Sequence, residues 1–156
     1  PLEAWEPAGG KDAPRRCDLT PDELRAVFMA EPDEEWRVRW MVYLYSGFRN
    51  QGEGALRWEW IDWEKREIAL PVGKGRRKGQ SRHIRLHPKL HTALAAWRDR
   101  KLDRCESVNS GPVFRKLLPR TICLRLKDMC REAGIDPEGV NLFSIRRTYE
   151  KAIREE

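Results

Sequence analysis

Apolar positions recur at helical spacing over most of the chain and alternate at strand spacing over one short stretch. Leu24, Val27 and Phe28 form the stripe of a helix that lays one face on a core. Thr20 supplies its N-cap, Pro21 suits the first helical position, and Glu23 completes a capping box. Pro32 ends it. Trp36, Trp40, Tyr43 and Leu44 share one face and predict a second helix from Asp33 to Tyr45, broken at Ser46-Gly47. Residues 51–56 read as a short helix, weakened by Gly52 and Gly54. The runs 67–72 and 81–86 read as strands on either side of the glycine-bearing loop GKGRRKGQ, a hairpin with a long basic tip. His87-Pro88 opens a helix bearing Leu90, Leu94, Ala95, Trp97 and Leu102. Asn109-Ser110-Gly111-Pro112 is a turn. A helix over 119–133 stops at Gly134, and a last one begins near Ser144 and runs to the chain end. The sum predicts an α+β domain, mostly helical with one small antiparallel β-sheet or hairpin.

Composition narrows the class. At 156 residues and 40% hydrophobic content the chain can bury one real core. The first 18 residues, rich in Pro, Gly and charge, read as a linker or arm, leaving 19–156 as the domain. No apolar stretch approaches the roughly 18–20 residues needed to span a bilayer. The opening PLEAWEPAGG has no secretory h-region. Cys17, Cys105, Cys123 and Cys130 form no CxxC pair, which argues against a zinc ribbon and a disulfide scaffold. A cytoplasmic setting without membrane contact is the expectation.

Charge is unevenly placed. Residues 1–35 hold ten acids against four bases, whereas the rest of the chain holds 27 bases against 15 acids. From Ile68 to Arg98 there is no Asp or Glu, while Lys74, Arg76, Arg77, Lys78, Arg82, Arg85, Lys89 and Arg98 all fall there. Arg115, Lys116, Arg120, Arg125 and Lys127 repeat the bias. A concentrated basic field attracts a polyanion, and nucleic acid is the commonest one. The aromatic recognition motif of an RNA-binding module is absent from the sequence. His83, His87 and His91 are four apart, but Pro88 and the change from strand to helix break any common face, so no metal site is expected. Cys123 and Cys130 share a helix face and read as core thiols. Trp58, Trp60 and Trp63 read as packing around the start of the strands.

Three motif blocks add a sharper reading. Ser46-Gly47-Phe48-Arg49, then Leu56-Arg57-Trp58 and Ile61-Asp62, resembles the first arginine box of the tyrosine recombinase (phage integrase) family. That family's glutamate, three residues after the arginine, is replaced by Gly52. Glu53 is adjacent, but one residue along a helix turns a side chain by about 100°. Val72-Gly73-Lys74-Gly75 is similar to the hairpin turn that carries the family's catalytic lysine, and the longer tip makes Lys78 a second candidate. Arg82-His83-Ile84-Arg85-Leu86 is close to the returning strand. Phe143-Ser144-Ile145-Arg146-Arg147-Thr148 is similar to the second arginine box, with Phe143 where the family has histidine. The family's Gly-His box and tyrosine nucleophile, further on, have no match in this sequence. Tyr149 lies three residues after Arg146, too early for the nucleophile, and reads as a core residue beside Ala152 and Ile153.

The resemblance implies a tyrosine-recombinase catalytic-domain-like fold over 19–156, with the C-terminal part missing and residues 1–18 ending an interdomain linker. It implies breakage and rejoining of duplex DNA through a 3′-phosphotyrosine, without cofactor or metal. Arg49, Lys74 and Arg146 would be catalytic, and Arg76, Arg77, Lys78, Arg82, His83 and Arg147 would contact DNA. The chemistry suits those residue types. Two guanidiniums can share the non-bridging oxygens of a phosphorane-like state, and a lysine can protonate the leaving 5′-oxygen. A full-length member works as a tetramer on DNA, and this fragment is expected to be monomeric and inactive in cleavage. The rival reading is a non-catalytic DNA-binding protein or regulator on a degenerate integrase fold, which Phe143 and Gly52 favour. Neither the target site nor the direction of recombination is written in the sequence.

Overall fold

The computed structural model describes residues 19–46, 56–70 and 82–155. Helix α1 spans Pro21–Met29 and starts on the expected capping box. The Glu23 amide donates to Thr20 Oγ1 and the Thr20 amide to Glu23 Oε2, each at 3.1 Å. Helix α2 spans Glu34–Ser46. Asp33 caps it, its carboxylate accepting from the Trp36 amide at 3.1 Å.

A short 3-10 turn, Trp58–Trp60, leads into strand β1, Ile61–Asp62. Strands β2, Glu67–Leu70, and β3, Arg82–Arg85, complete an antiparallel sheet ordered β1-β2-β3. Ile61 pairs with Ile68, and Ile68 with Ile84. The small antiparallel sheet is as expected, with β1 added as a third strand beside the two read from the sequence. The expected helix at 51–56 lies outside the described residues except for Leu56, which is not helical. The expected strand ends at 71–72 and 81 also lie outside them.

Helix α3 spans Pro88–Asp103, with His87 Nδ1 accepting from the Lys89 amide at 3.2 Å. Helix α4 spans Pro119–Glu132. It stops as expected at Gly134, whose φ of 75° suits glycine, with the Ile135 amide reaching back to the Cys130 carbonyl at 2.8 Å. Helix α5 spans Leu142–Glu155 and begins two residues before Ser144. Asn141 takes the capping role. Its Oδ1 accepts from the Phe143 and Ser144 amides at 2.9 and 3.3 Å, and Ser144 Oγ accepts from the Asn141 amide at 3.1 Å.

Helix α2 sits between two cores. Trp36, Trp40 and Tyr43 join Leu24, Val27, Ile122, Leu126, Cys130 and Ile145 from α1, α4 and α5. Val38 and Val42 join Ile61, Ile68, Leu86, Leu90, Leu94 and Trp97 from the sheet and α3. Reading a single apolar stripe on α2 missed the second face, because Val38 stands between two arginines and Val42 adjoins Tyr43 of the first stripe. Burial of each large side chain contributes about 1.5–3 kcal/mol, so both faces hold α2 in place. Trp36 and Trp40 are core residues as expected, and Trp58 is buried with Trp60 and Trp63 half-buried against the sheet. Of the two α4 thiols, Cys130 is buried and Cys123 only half so.

Two polar contacts tie distant segments together. Glu31, in the α1–α2 turn, is buried and meets Arg125 of α4. Thr148 of α5, also buried, lies with its hydroxyl 2.8 Å from the Leu19 carbonyl, 129 residues away in sequence.

Candidate nucleic-acid interface

The register of β2 and β3 fixes where the basic loop leaves the sheet. Leu70 pairs with Arg82 at one end of the ladder, and Glu67 with Arg85 at the other. The loop bearing Lys74, Arg76, Arg77 and Lys78 springs from the Leu70–Arg82 end. Those four residues lie outside the described ones, as does Arg49, which follows the C-terminus of α2. Arg82 is placed by its backbone in β3.

His83 is exposed, and its Nδ1 lies 3.5 Å from the Glu67 carboxylate on the neighbouring strand. Ala69 is its register partner. Alternation puts His83, Arg85 and Glu67 on the outer face, while Ile68 and Ile84 face the core. The three histidines go to separate tasks. His87 caps α3 and stacks on Tyr45 with ring centroids 4.3 Å apart, and His91 meets the edge of Trp63 at 5.5 Å. Among the described residues no cluster of three potential metal ligands occurs.

On α5 the second arginine box divides by depth. Leu142, Ile145 and Thr148 are buried, Arg146 and Arg147 are half-buried, and Phe143 is 53% exposed. Helical spacing sets Phe143, Arg146, Arg147 and Glu150 along one side. Arg146 Nε donates to Glu150 Oε1 at 2.9 Å. As a partly exposed i,i+4 pair this contributes only about 0.3–0.5 kcal/mol to the helix. Sequence reading missed the pairing, although the spacing of four was there to find it. The Tyr149 side chain lies outside the described residues.

A further basic feature was also missed. A cleft of about 420 Å³ between the end of α2, the 63–66 turn and the start of α3 is lined by Tyr45, Glu64, Lys65, Arg66, Arg85 and His87. It belongs to the end of the β2–β3 ladder away from the basic loop. Arg66 holds a φ of 55°, and its carbonyl accepts from the Leu86 amide at 2.8 Å.

Among solved structures the chain is similar to the crystal structure of XerA recombinase, with a TM-score of 0.72 and 20% sequence identity. The fold is recombinase catalytic-domain-like. The match covers 90% of this chain and 52% of the recombinase chain, so this chain spans about half of that one's length. No protein-family model matches the chain, and none of the curated proteins matches it in sequence. The likeness therefore extends to the recombinase-type fold, at a level of identity where individual residues carry no match of their own. Among the described residues no helix is long and apolar enough to cross a membrane.

Proposed function

We propose that this chain is the DNA-binding catalytic domain of a site-specific tyrosine recombinase or integrase. The carrying observation is the arginine box on α5, half-buried on a recombinase-type fold whose hairpin strands flank an acid-free basic loop. Arg146 grips a backbone phosphate with Arg49. Lys74 or Lys78, on the hairpin, delivers a proton to the leaving 5′-oxygen. Arg76, Arg77, Lys78, Arg82, His83 and Arg147 contribute phosphate contacts that position the duplex. The chemistry is electrostatic stabilisation of a pentacoordinate phosphorus, and strand exchange follows when a tyrosine holds the 3′-phosphate covalently.

A second reading has its own support. Phe143 stands exposed where the resembling family has its histidine, and phenylalanine cannot transfer a proton. With Gly52 in place of the glutamate, this favours a DNA-binding protein on the same scaffold that does not cut. One experiment separates the two. Duplex binding is measured across a salt series, and a nicked suicide duplex is run on a denaturing gel. Salt-sensitive binding supports both readings, a covalent adduct decides for the recombinase, its absence is the outcome expected of this chain under either, and no binding defeats both.

A further inference from the structure

We infer that Glu150 is an internal counter-anion for Arg146, holding its guanidinium in the DNA-free protein and yielding it when a backbone phosphate arrives. The inference rests on the DNA-binding reading above and assigns Glu150 a role within it. A guanidinium recognises an oxyanion through paired N–H groups, and one of its edges includes Nε. Glu150 Oε1 sits on Nε at 2.9 Å, so that edge is occupied by the protein's own carboxylate. The Glu150 side chain is 45% exposed, against 27% for Arg146. The carboxylate is thus the more solvent-exposed partner and can turn outward through its own rotamers. No backbone movement is needed, since both residues are on the same stretch of α5.

The consequence is a threshold. A phosphate approaching Arg146 does not gain a free cation; it displaces a carboxylate, while Glu150 remains nearby as a like charge. A single phosphate gains little from that exchange. A duplex that engages several basic groups at once supplies the remainder. Phe143 and Arg147, on the same side of α5, leave Arg146 flanked by an apolar ring and a second cation. Glu150 is therefore the one acid on this side of the helix over residues 143–150.

The test is a double-mutant cycle on duplex binding with the 156-residue chain, using Glu150→Gln, Arg146→Ala and the double variant across a salt series. Glu150→Gln is expected to tighten binding about threefold at low salt, the effect of removing a unit charge about 6 Å from a phosphate in aqueous surroundings. The salt slope should steepen by roughly one, because without Glu150 the charge of Arg146 counts in full against the phosphate. In the Arg146→Ala background the same change should give almost nothing. An equal gain in both backgrounds would mean a general charge effect and would overturn the assignment. So would weaker binding by Glu150→Gln, which would make Glu150 a residue that holds Arg146 in its binding pose. A wild-type chain that binds no duplex would overturn the DNA reading itself, whereas binding without an Arg146-dependent gain overturns Glu150 alone. As a second measurement, the Arg146 Nε–H resonance should move on adding duplex to the wild type, and a resonance that stays in place would count against the exchange.

Discussion

Glu31 and Arg125 meet across 94 residues of sequence, the guanidinium reaching both carboxylate oxygens and its Nε lying 3.0 Å from Oε2. The Trp40 indole N–H adds a contact to Oε2 at 3.3 Å, and the Asp33 amide one to Oε1 at 3.1 Å. One buried carboxylate thereby joins the α1–α2 turn, the core face of α2 and the middle of α4. The same bond to Glu31 holds the Arg125 guanidinium above its usual range, against a smaller opposing effect of burial.

Removing one partner should cost far more than the pair contributes. Arg125→Ala strands the Glu31 charge in the interior, and a loss of about 3–5 kcal/mol is expected. The combined Glu31→Ala and Arg125→Ala change should fall short of the sum of the singles. Urea unfolding of the three variants measures this, and additive losses would show that the two residues act independently.

Neutralising Arg76, Arg77 and Lys78 together should weaken duplex binding and flatten its salt dependence. Each lost phosphate contact removes about 0.9 from the logarithmic slope. Fluorescence anisotropy at several salt concentrations gives the slope directly. An unchanged slope would place the hairpin tip away from DNA.

How far the sequence could be read depended on the range of the interaction. Local chemistry was legible, as Thr20 with Glu23, His87 before Pro88, and Gly134 after α4 show. Strand β1 was not, because two residues have no periodicity and Ile61-Asp62 becomes a strand only by pairing with β2. The start of α5 was legible to within two residues, at Leu142 rather than Ser144, and Asn141 with Ser144 makes the capping contacts. At the candidate site, Arg146 was singled out through its motif, whereas its pairing with Glu150 showed only as a spacing of four, which exposed residues often share without contact. The Glu31–Arg125 contact needed the tertiary fold to bring its partners together.

This chain is not expected to form a covalent DNA adduct. In-line attack needs an oxygen about 3–3.5 Å from phosphorus and opposite the leaving group. Tyr149 is only three residues beyond Arg146 in the sequence, too early for the nucleophile position of the resembling family. The suicide-duplex assay checks this, and an adduct that vanishes in Tyr149→Phe would assign the attack to that residue.

Acid should loosen one specific tie. The Glu59 carboxyl is held below its ordinary range, first by its bond to the Arg57 side chain at 2.5 Å and also by the Gly111 amide at 2.9 Å. A depressed carboxyl favours the folded state above its unfolded pKa, and that contribution disappears as pH falls through the folded value. The protection of the Gly111 amide, taken relative to the intrinsic exchange rate at each pH, should therefore fall on acidification below the ordinary glutamate range. In Glu59→Gln the step should be absent, and a step that persists would put its origin elsewhere.

The Thr148 hydroxyl under the Leu19 carbonyl also has a mechanical meaning. Leu19 is itself buried and directly precedes the Thr20 cap of α1, so this contact sets the start of α1 against the helix turn that follows Arg146. The first helix of the described chain and the arginine helix near its end therefore share one anchoring hydroxyl, two residues from Arg146.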